Sequence, residues 1–378
     1  MNQTKTSVKT IGIDGNEANV ANRVGSNVFA FELLVALEKV LQGNEQVEVR
    51  VFLTQSPSPD FPVSRPGWQY VVVPHQPLWT LWRLPLALLA HRDLTCFFSP
   101  GHYLPLWSPV PTACTIMDLA YELYPDYFKK KDLWQLKWLT RWSVRQAKWV
   151  FAISQATKRD IVRLYGKPTE TITITYPGKN EVLPLQREAV KIFLAGKQLS
   201  HYLLFVGTLQ PRKNLLRLIE AFEILKQQGY NGKLVLAGKI GWKAEPIVEA
   251  MQRSAVGNEI VHLGFVTDQE KTALIQGADV LVLPGLYEGF GLPPLEAMQL
   301  GTIPIVSDVS SLPEVVSEEQ LRFDPENVAS LVQTLNRVLK ADSAQKNVWL
   351  AKLEKNAAQF NWEATARQVY QVLLGGEK

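Results

Sequence analysis

The stretch Pro284-Gly285-Leu286-Tyr287-Glu288-Gly289-Phe290-Gly291-Leu292-Pro293-Pro294-Leu295-Glu296-Ala297-Met298 decides how the chain is read. It follows the apolar run 280–283, holds three glycines, and enters a helix at Pro293 or Pro294, where proline is tolerated because the first helical amides have no intrahelical partner. Strand, glycine-bearing loop and helix in that order put the loop at the carboxyl end of a strand. In an open parallel sheet ligands bind there, and the amides of the following helix favour an anion such as phosphate. Gly289 and Gly291 let backbone approach a ligand without a side chain in the way. Glu288 in the loop and Glu296 about a turn into the helix offer two carboxylates, acceptors suited to the paired hydroxyls of a sugar and a ribose.

Outward from this loop the same alternation continues in both directions. Strands are expected at 203–206, 233–237, 260–263, 280–283 and 303–306, with helices at 214–228, 245–254, 268–276, 293–300 and 327–341 between and after them. An earlier series places strands at 47–53, 70–73, 95–99, 112–117 and 149–153, with helical patterns at 26–41 and 132–148. The fold class is therefore α/β, with two doubly wound, Rossmann-like domains. The breakers Tyr176-Pro177-Gly178-Lys179-Asn180 put the linker near 177–190. We expect an N-terminal domain over 1–180, a second over 190–355, and a C-terminal helix over 356–378 packing back towards the first, with a break at Phe360-Asn361. A chain of 378 residues suits two cores better than one.

A second candidate element lies at 206–214, Val-Gly-Thr-Leu-Gln-Pro-Arg-Lys-Asn, where Arg212 and Lys213 at a strand-to-helix turn pair a guanidinium fork with an ammonium and can offset a phosphate. Gly207 permits close approach.

The loop 284–298 resembles the E-x(7)-E signature of glycosyltransferase family 4, here Glu288 and Glu296, and 206–214 resembles that family's R-x-x-K-N-like donor-phosphate motif. The resemblance covers essentially the full chain. It implies a GT-B fold with two Rossmann-like domains facing a central cleft, and retention of anomeric configuration. It also implies that Glu296 holds the donor ribose, Glu288 the donor sugar, and the amides around Phe290, Gly291 and Leu292 the phosphates or sugar. Segments 237–239 and 263–266 resemble the family's loops beside the donor and base, and 310–314 fits its pattern as well as a helix-capping turn does.

In the N-terminal half, Asn22-Arg23-Val24-Gly25-Ser26-Asn27 resembles the family's glycine loop over donor phosphate and acceptor, with one glycine where many relatives have more. Thr115-Ile116-Met117-Asp118-Leu119 resembles its His-Asp-Leu segment, but Met117 stands where the histidine would be and can neither donate nor carry a proton. Asp118 keeps its place, to orient the site or to cap a helix. Of His75, His91 and His102, only His102, after Ser99-Pro100-Gly101, is placed to serve an acceptor. Trp134, Trp138 and Trp142 recur every four residues among lysines and arginines, a face for a membrane surface or lipid-linked acceptor, or else for core packing.

Cys96 and Cys114 lie in apolar runs as buried thiols, which leaves no disulfide framework or zinc site. The start 1–10 is polar and does not read as a signal peptide, and the apolar stretch 78–90 is broken by Arg83 and Pro85 and falls short of the roughly 20 residues a membrane span needs. A cytoplasmic protein is expected, or one peripheral at the inner membrane face. The basic excess sits in the first half, with 21 Lys and Arg against 16 Asp and Glu in residues 1–190 and 19 against 20 thereafter. No nucleic-acid module appears, and no G-x-G-x-x-G follows either first strand, which disfavours a dehydrogenase. The resulting expectation is transfer of a hexose, mannose or glucose, from GDP-mannose or UDP-glucose to a hydroxyl on a glycan, lipid-linked or small-molecule acceptor, without metal or cofactor. Arg212, Lys213, Glu288 and Asp118 are the catalytic candidates. A nucleotide-sugar epimerase of the same fold and a catalytically impaired nucleotide-sugar-binding protein are the rivals.

Overall fold

The computed structural model describes residues 8–74 and 79–375; the polar start at 1–7, His75, Leu78 at the head of the apolar stretch, and 376–378 lie outside them. The chain forms two compact units. One comprises Met1–Leu119, Lys131–Gly178 and Phe360–Lys378, the other Ala120–Lys130 and Lys179–Gln359.

Among the described residues the first unit is a seven-stranded parallel sheet: β1 (Lys9–Asp14), β2 (Val47–Leu53), β3 (Trp68–Val72), β4 (Leu94–Ser99), β5 (Thr112–Ile116), β6 (Trp149–Ala152) and β7 (Ile172–Ile174), in the order β3-β2-β1-β4-β5-β6-β7. Its helices are α1 (Ser26–Leu41), α2 (Leu84–Ala90), α4 (Lys130–Gln146, from Lys131 on) and α5 (Gln155–Tyr165), with α14 (Trp362–Leu374) arriving from the far end of the chain. Pro85 starts α2 from a position that needs no amide. The α14 helix is capped by Asn361, whose side chain accepts from the Ala364 amide. Trp362 meets Phe29 of α1 edge-on at 5.5 Å between ring centroids. Gly178 is a glycine because an added Cβ would lie 2.4 Å from the Trp362 backbone nitrogen. Cys96 and Cys114 are buried and free, and burial pushes both thiols up to about 12.

The second unit is a six-stranded parallel sheet: β8 (Tyr202–Val206), β9 (Lys233–Ala237), β10 (Ile260–Gly264), β11 (Val280–Leu283), β12 (Pro304–Ser307) and β13 (Arg322–Phe323), in the order β10-β9-β8-β11-β12-β13. Its helices are α3 (Ala120–Leu123), α6 (Arg187–Gly196), α7 (Leu215–Gln227), α8 (Glu245–Arg253), α9 (Asp268–Gly277), α10 (Leu292–Gln299), α11 (Leu312–Val315), α12 (Val328–Lys340) and α13 (Ser343–Ala357). Strands such as β11, buried at every position, read as unbroken apolar runs because helices cover both faces.

Two differences from the sequence reading follow from packing. The expected linker to 190 is shorter, since α6 starts at Arg187 and inserts Val190 and Leu194 beside Leu204, Leu274 and Leu281. The segment Ala120–Lys130 belongs to the second unit and not to an N-terminal domain running unbroken to 180. Trp242 holds it there, donating from Nε1 to the Tyr127 carbonyl at 2.6 Å while packing on Phe128.

Both strand orders reverse direction of growth once, beside β1 and β4 in one sheet and beside β8 and β11 in the other. At such a point the loops leaving two neighbouring strands diverge to opposite faces and open a crevice at the carboxyl edge.

Candidate functional site

In the second unit the loops after β8 and β11 meet at that crevice. The first passes through Gly207, at φ 151, and a 3₁₀ turn, Pro211–Lys213, to α7. Gly207 is itself hemmed in: a Cβ on Gly238 would fall 1.9 Å from its carbonyl oxygen, so the tight approach here is backbone on backbone. Asn214, buried and left-handed, donates from Nδ2 to the Pro284 and Pro325 carbonyls at 3.1 and 2.8 Å, tying the first loop to the second.

Arg212, Lys213 and Glu288 are brought together. Lys213 Nζ lies 2.6 and 2.8 Å from the two Glu288 carboxylate oxygens. Arg212 Nη1 donates to the Tyr287 carbonyl at 2.8 Å and reaches Glu288 Oε2 at 3.3 Å. All three are largely buried, with side-chain exposures of 17, 12 and 8%. The cluster carries two positive charges against one negative, and the carboxylate that the family resemblance assigns to the donor sugar is here also the counter-ion of the two cations. Gly285 makes room for it, because a Cβ there would stand 2.7 Å from Glu288 Oε1.

Ser310 and Ser311, readable from sequence as a capping turn, brace this loop instead. The Glu288 amide donates to Ser310 Oγ at 2.9 Å, and the Ser311 hydroxyl lies 2.8 and 2.9 Å from the Glu288 and Phe290 carbonyls, with no cap bond to α11. Tyr124, from the Ala120–Lys130 segment, adds a bond from its hydroxyl to the Leu286 carbonyl at 3.3 Å.

Gly291, at φ 117, is the N-cap of α10 and makes no side-chain cap bond. Pro293 and Pro294 remove two of the helix's leading amides, so those of Gly291 and Leu292 remain at this end, with buried Gly289 and Phe290 before them. One turn on, Glu296 is buried; its Oε1 accepts from Lys271 Nζ at 2.9 Å, while Oε2 is buried without a protein partner. Burial lifts the Glu296 carboxyl above its ordinary range against the pull of Lys271. Burial also draws Lys271 down, but Glu296 and Asp268 outweigh it and the ammonium is held charged. One oxygen is thus fixed in place and the other is an acceptor in want of a donor, a costly arrangement unless something supplies one. Lys271 was not singled out from the sequence. Its place on α9 is set by a capping box in which Thr267 and Glu270 satisfy each other's amides.

In the first unit the loop after β1 is pinned at its base. Asp14 ends the strand, and burial lifts its carboxyl to about 6 despite bonds from the Asn16 amide and Nδ2 at 3.0 and 2.7 Å. Arg23 bonds the Ala18 carbonyl at 2.7 Å, pairs with Asp60, and lies 3.7 Å over the Phe31 ring. Ser26 Oγ donates to Glu17 at 2.5 Å. Between these anchors Gly25, at φ 55, caps α1 with nothing within 4 Å of the place a Cβ would take.

At the end of β5, the Met117 amide donates to His102 Nε2 at 3.1 Å and its carbonyl accepts from Thr157 Oγ1 at 3.2 Å, which fixes the residue before Asp118. Burial holds His102 below its ordinary pKa, opposed by the charges of Asp118 and Glu17. Accepting at Nε2 requires the neutral ring, protonated at Nδ1. His91 is taken up by Arg50, 3.3 Å away, and by Phe52.

A family model described as "Glycosyl transferases group 1" matches residues 189–359, and one described as "Glycosyltransferase Family 4" matches residues 25–181. The O-antigen chain mannosyltransferase B of Escherichia coli is 30% identical over 286 residues, 75% of this chain and 74% of that protein. Among solved structures, the sucrose-phosphate synthase of Thermosynechococcus elongatus shares the fold with a TM-score of 0.71 at 22% identity, covering 98% of this chain and 100% of that one. Anabaena HepE, solved in complex with UDP and glucose, does so with a TM-score of 0.71 at 16% identity, covering 97% and 100%.

Proposed function

Because the chain belongs to the group 1 glycosyltransferases and has their two-domain GT-B fold, we propose that it transfers a hexose from a nucleoside diphosphate sugar to an acceptor hydroxyl with retention of configuration. Mannose from GDP-mannose is the first choice of donor and glucose from UDP-glucose the second. The observation that carries this reading is the buried Arg212–Lys213–Glu288 cluster at the carboxyl edge of the second sheet.

The donor is held by the second unit. Its ribose hydroxyls donate to Glu296, and its diphosphate lies against Arg212, Lys213 and the amides of Gly289, Phe290, Gly291 and Leu292. The bond between the anomeric carbon and the diphosphate oxygen breaks as the acceptor oxygen bonds to that carbon from the same face. The acceptor proton passes to a phosphate oxygen of the departing nucleoside diphosphate. The two cations stabilise the charge growing on that leaving group, and because they are fixed before the reaction begins they need not reorganise during it. Glu288 keeps them in place and orients the sugar. Gly207 gives the donor close approach within the second unit; of the first unit's residues, Gly25 is assigned to the donor and Asp118 to the acceptor, which is a glycan, a lipid-linked sugar or a small molecule met in the cytoplasm. Lewis-acid help is not required by this scheme.

The test is release of nucleoside diphosphate from GDP-, UDP- and ADP-sugars with and without a mixed acceptor set, with the anomeric configuration of the product read by NMR. Turnover of GDP-mannose to an α-linked product is expected. Release of a free epimerised sugar without acceptor, or an inverted product, sinks the reading.

A further inference from the structure

The outer face of α4 is neither part of the core nor part of the site described above. The residues α4 turns inward are Leu139, Thr140, Ser143 and Val144. Trp134 and Trp138 are 69 and 45% exposed, so core packing, one of the two readings open from sequence, does not account for them. Their rings and that of Trp142 form a ladder with centroids 6.1 and 6.0 Å apart and planes within 2 and 10°. Around it from 131 to 148 stand Lys131, Lys137, Arg141, Arg145 and Lys148, against Asp132 as the single acid. Because α4 leads into the amino end of β6, its first turn lies at the carboxyl edge of the first sheet. The charges of both Glu17 and Asp132 reach Tyr103 there.

We propose that this face docks on the anionic surface of a lipid bilayer, with the indoles of Trp134 and Trp138 at the boundary of headgroups and acyl chains and the cations over lipid phosphates. The ladder favours a bilayer over a sugar or nucleobase. Both faces of Trp138 are turned to neighbouring rings, so the middle of the ladder offers ring edges and apolar area to bury in place of an open face for a planar ligand. The near absence of acid suits an anionic partner that is extended and soft, the setting in which amphipathic indoles and snorkelling basic chains combine. The inference deepens the proposed function, on which its last step rests: docked in this way, the edge bearing Gly25 and Asp118 meets acceptors carried on lipid.

The experiment uses the full chain with vesicles of phosphatidylglycerol or of phosphatidylcholine, read by co-sedimentation and by quenching of indole fluorescence with bromine-labelled lipid. Binding to the anionic vesicles alone is expected, falling steeply in about 0.5 M salt, with at least about a tenfold loss in W134Q/W138Q. Nucleoside diphosphate binding in solution is unchanged in that variant, whose altered positions are exposed. Absence of binding by the parent chain, or equal binding by the variant, overturns the proposal. So does a concentration-dependent dimer that the variant abolishes, which would make a second copy the occupant. None of these readings requires turnover, so failure of the docking surface and failure of the transfer reaction are seen separately.

Discussion

At the carboxyl edge of the second unit, Gly285 is a glycine because Glu288 occupies the space where its side chain would begin. At the corresponding edge of the first unit, Gly25 is a glycine although nothing lies near that space, and only its left-handed backbone asks for it. The first glycine is the shadow of a finished charge cluster. The second belongs to a loop pinned on both sides and open in the middle. One edge is organised around charge already in place, with the Pro284, Leu286, Tyr287, Glu288 and Phe290 carbonyls of its loop tied to Asn214, Tyr124, Arg212 or Ser311. The other presents a neutral His102, a Met117 and half-buried acids, Asp14, Glu17 and Asp118, with no cation pair among them like that of Arg212 and Lys213. The contrast suits a unit that grips one invariant group and a unit that admits variable ones.

The sharpest way to break this contrast is Lys213→Ala. Loss of a fixed cation from the proposed leaving-group site should lower turnover by about 10²–10³, and leaving Glu288 short of a partner should cost about 3 kcal/mol of stability. In K213A/E288Q, measured by thermal unfolding and nucleoside diphosphate release, stability should return in part and turnover should not. If turnover returned with stability, the lysine would be structural.

Next in size is the proposed ribose contact. Glu296→Gln should weaken nucleoside diphosphate binding by about 2 kcal/mol, and Lys271→Met by about tenfold, the scale of one charge-assisted bond. Calorimetry with the 2′,3′-dideoxy nucleotide separates the roles: both variants should bind it as the parent does. A parent chain that fails to distinguish ribo from dideoxy would remove Glu296 from the ribose.

The two glycines offer a smaller and more direct comparison. Gly285→Ala should show mainly in turnover, through a displaced Glu288. Gly25→Ala should cost about 1 kcal/mol of stability from backbone strain alone. Equal effects of the two on turnover would erase the distinction between the two edges.

The smallest effect concerns pH. The Asp14 carboxyl is raised from 3.8 to about 6 in the fold. Its contribution to stability is therefore whole below pH 4 and is lost as pH rises through 6. Asp14→Asn should match the parent at pH 4 and exceed it by about 1 kcal/mol at pH 7, the full displacement being partly screened where the side chain meets water. Denaturant midpoints at the two pH values provide the check.

Much of this architecture could be read from residue order. Apolar runs buried on both faces, interrupted by helical spacing, are what a two-sided parallel sheet requires, and the loop 284–298 names its own place in that sheet. What escaped the reading depends on partners far apart in sequence. Lys271 looks like any exposed lysine in a first helical turn until α9 lies beside α10 and Glu296 comes within reach. Ser310 and Ser311 look like caps because a cap is the nearest use for a serine before a helix, whereas their acceptors and donors lie some 20 residues back. The short helix α6 was lost among breaker residues, and β13, two residues long, has no periodicity to show.

The crossing of the chain between its units has a consequence for synthesis. Residues 360–375, with Trp362 against Phe29 and Thr365 bonded to the Tyr176 carbonyl, leave the ribosome after the whole second unit, yet they complete the first. The second unit in turn draws Ala120–Lys130 from a part made long before the rest of it. The half translated first is therefore the half that closes last, and a nascent chain halted before residue 360 carries an N-terminal sheet whose α1 still waits for its cover.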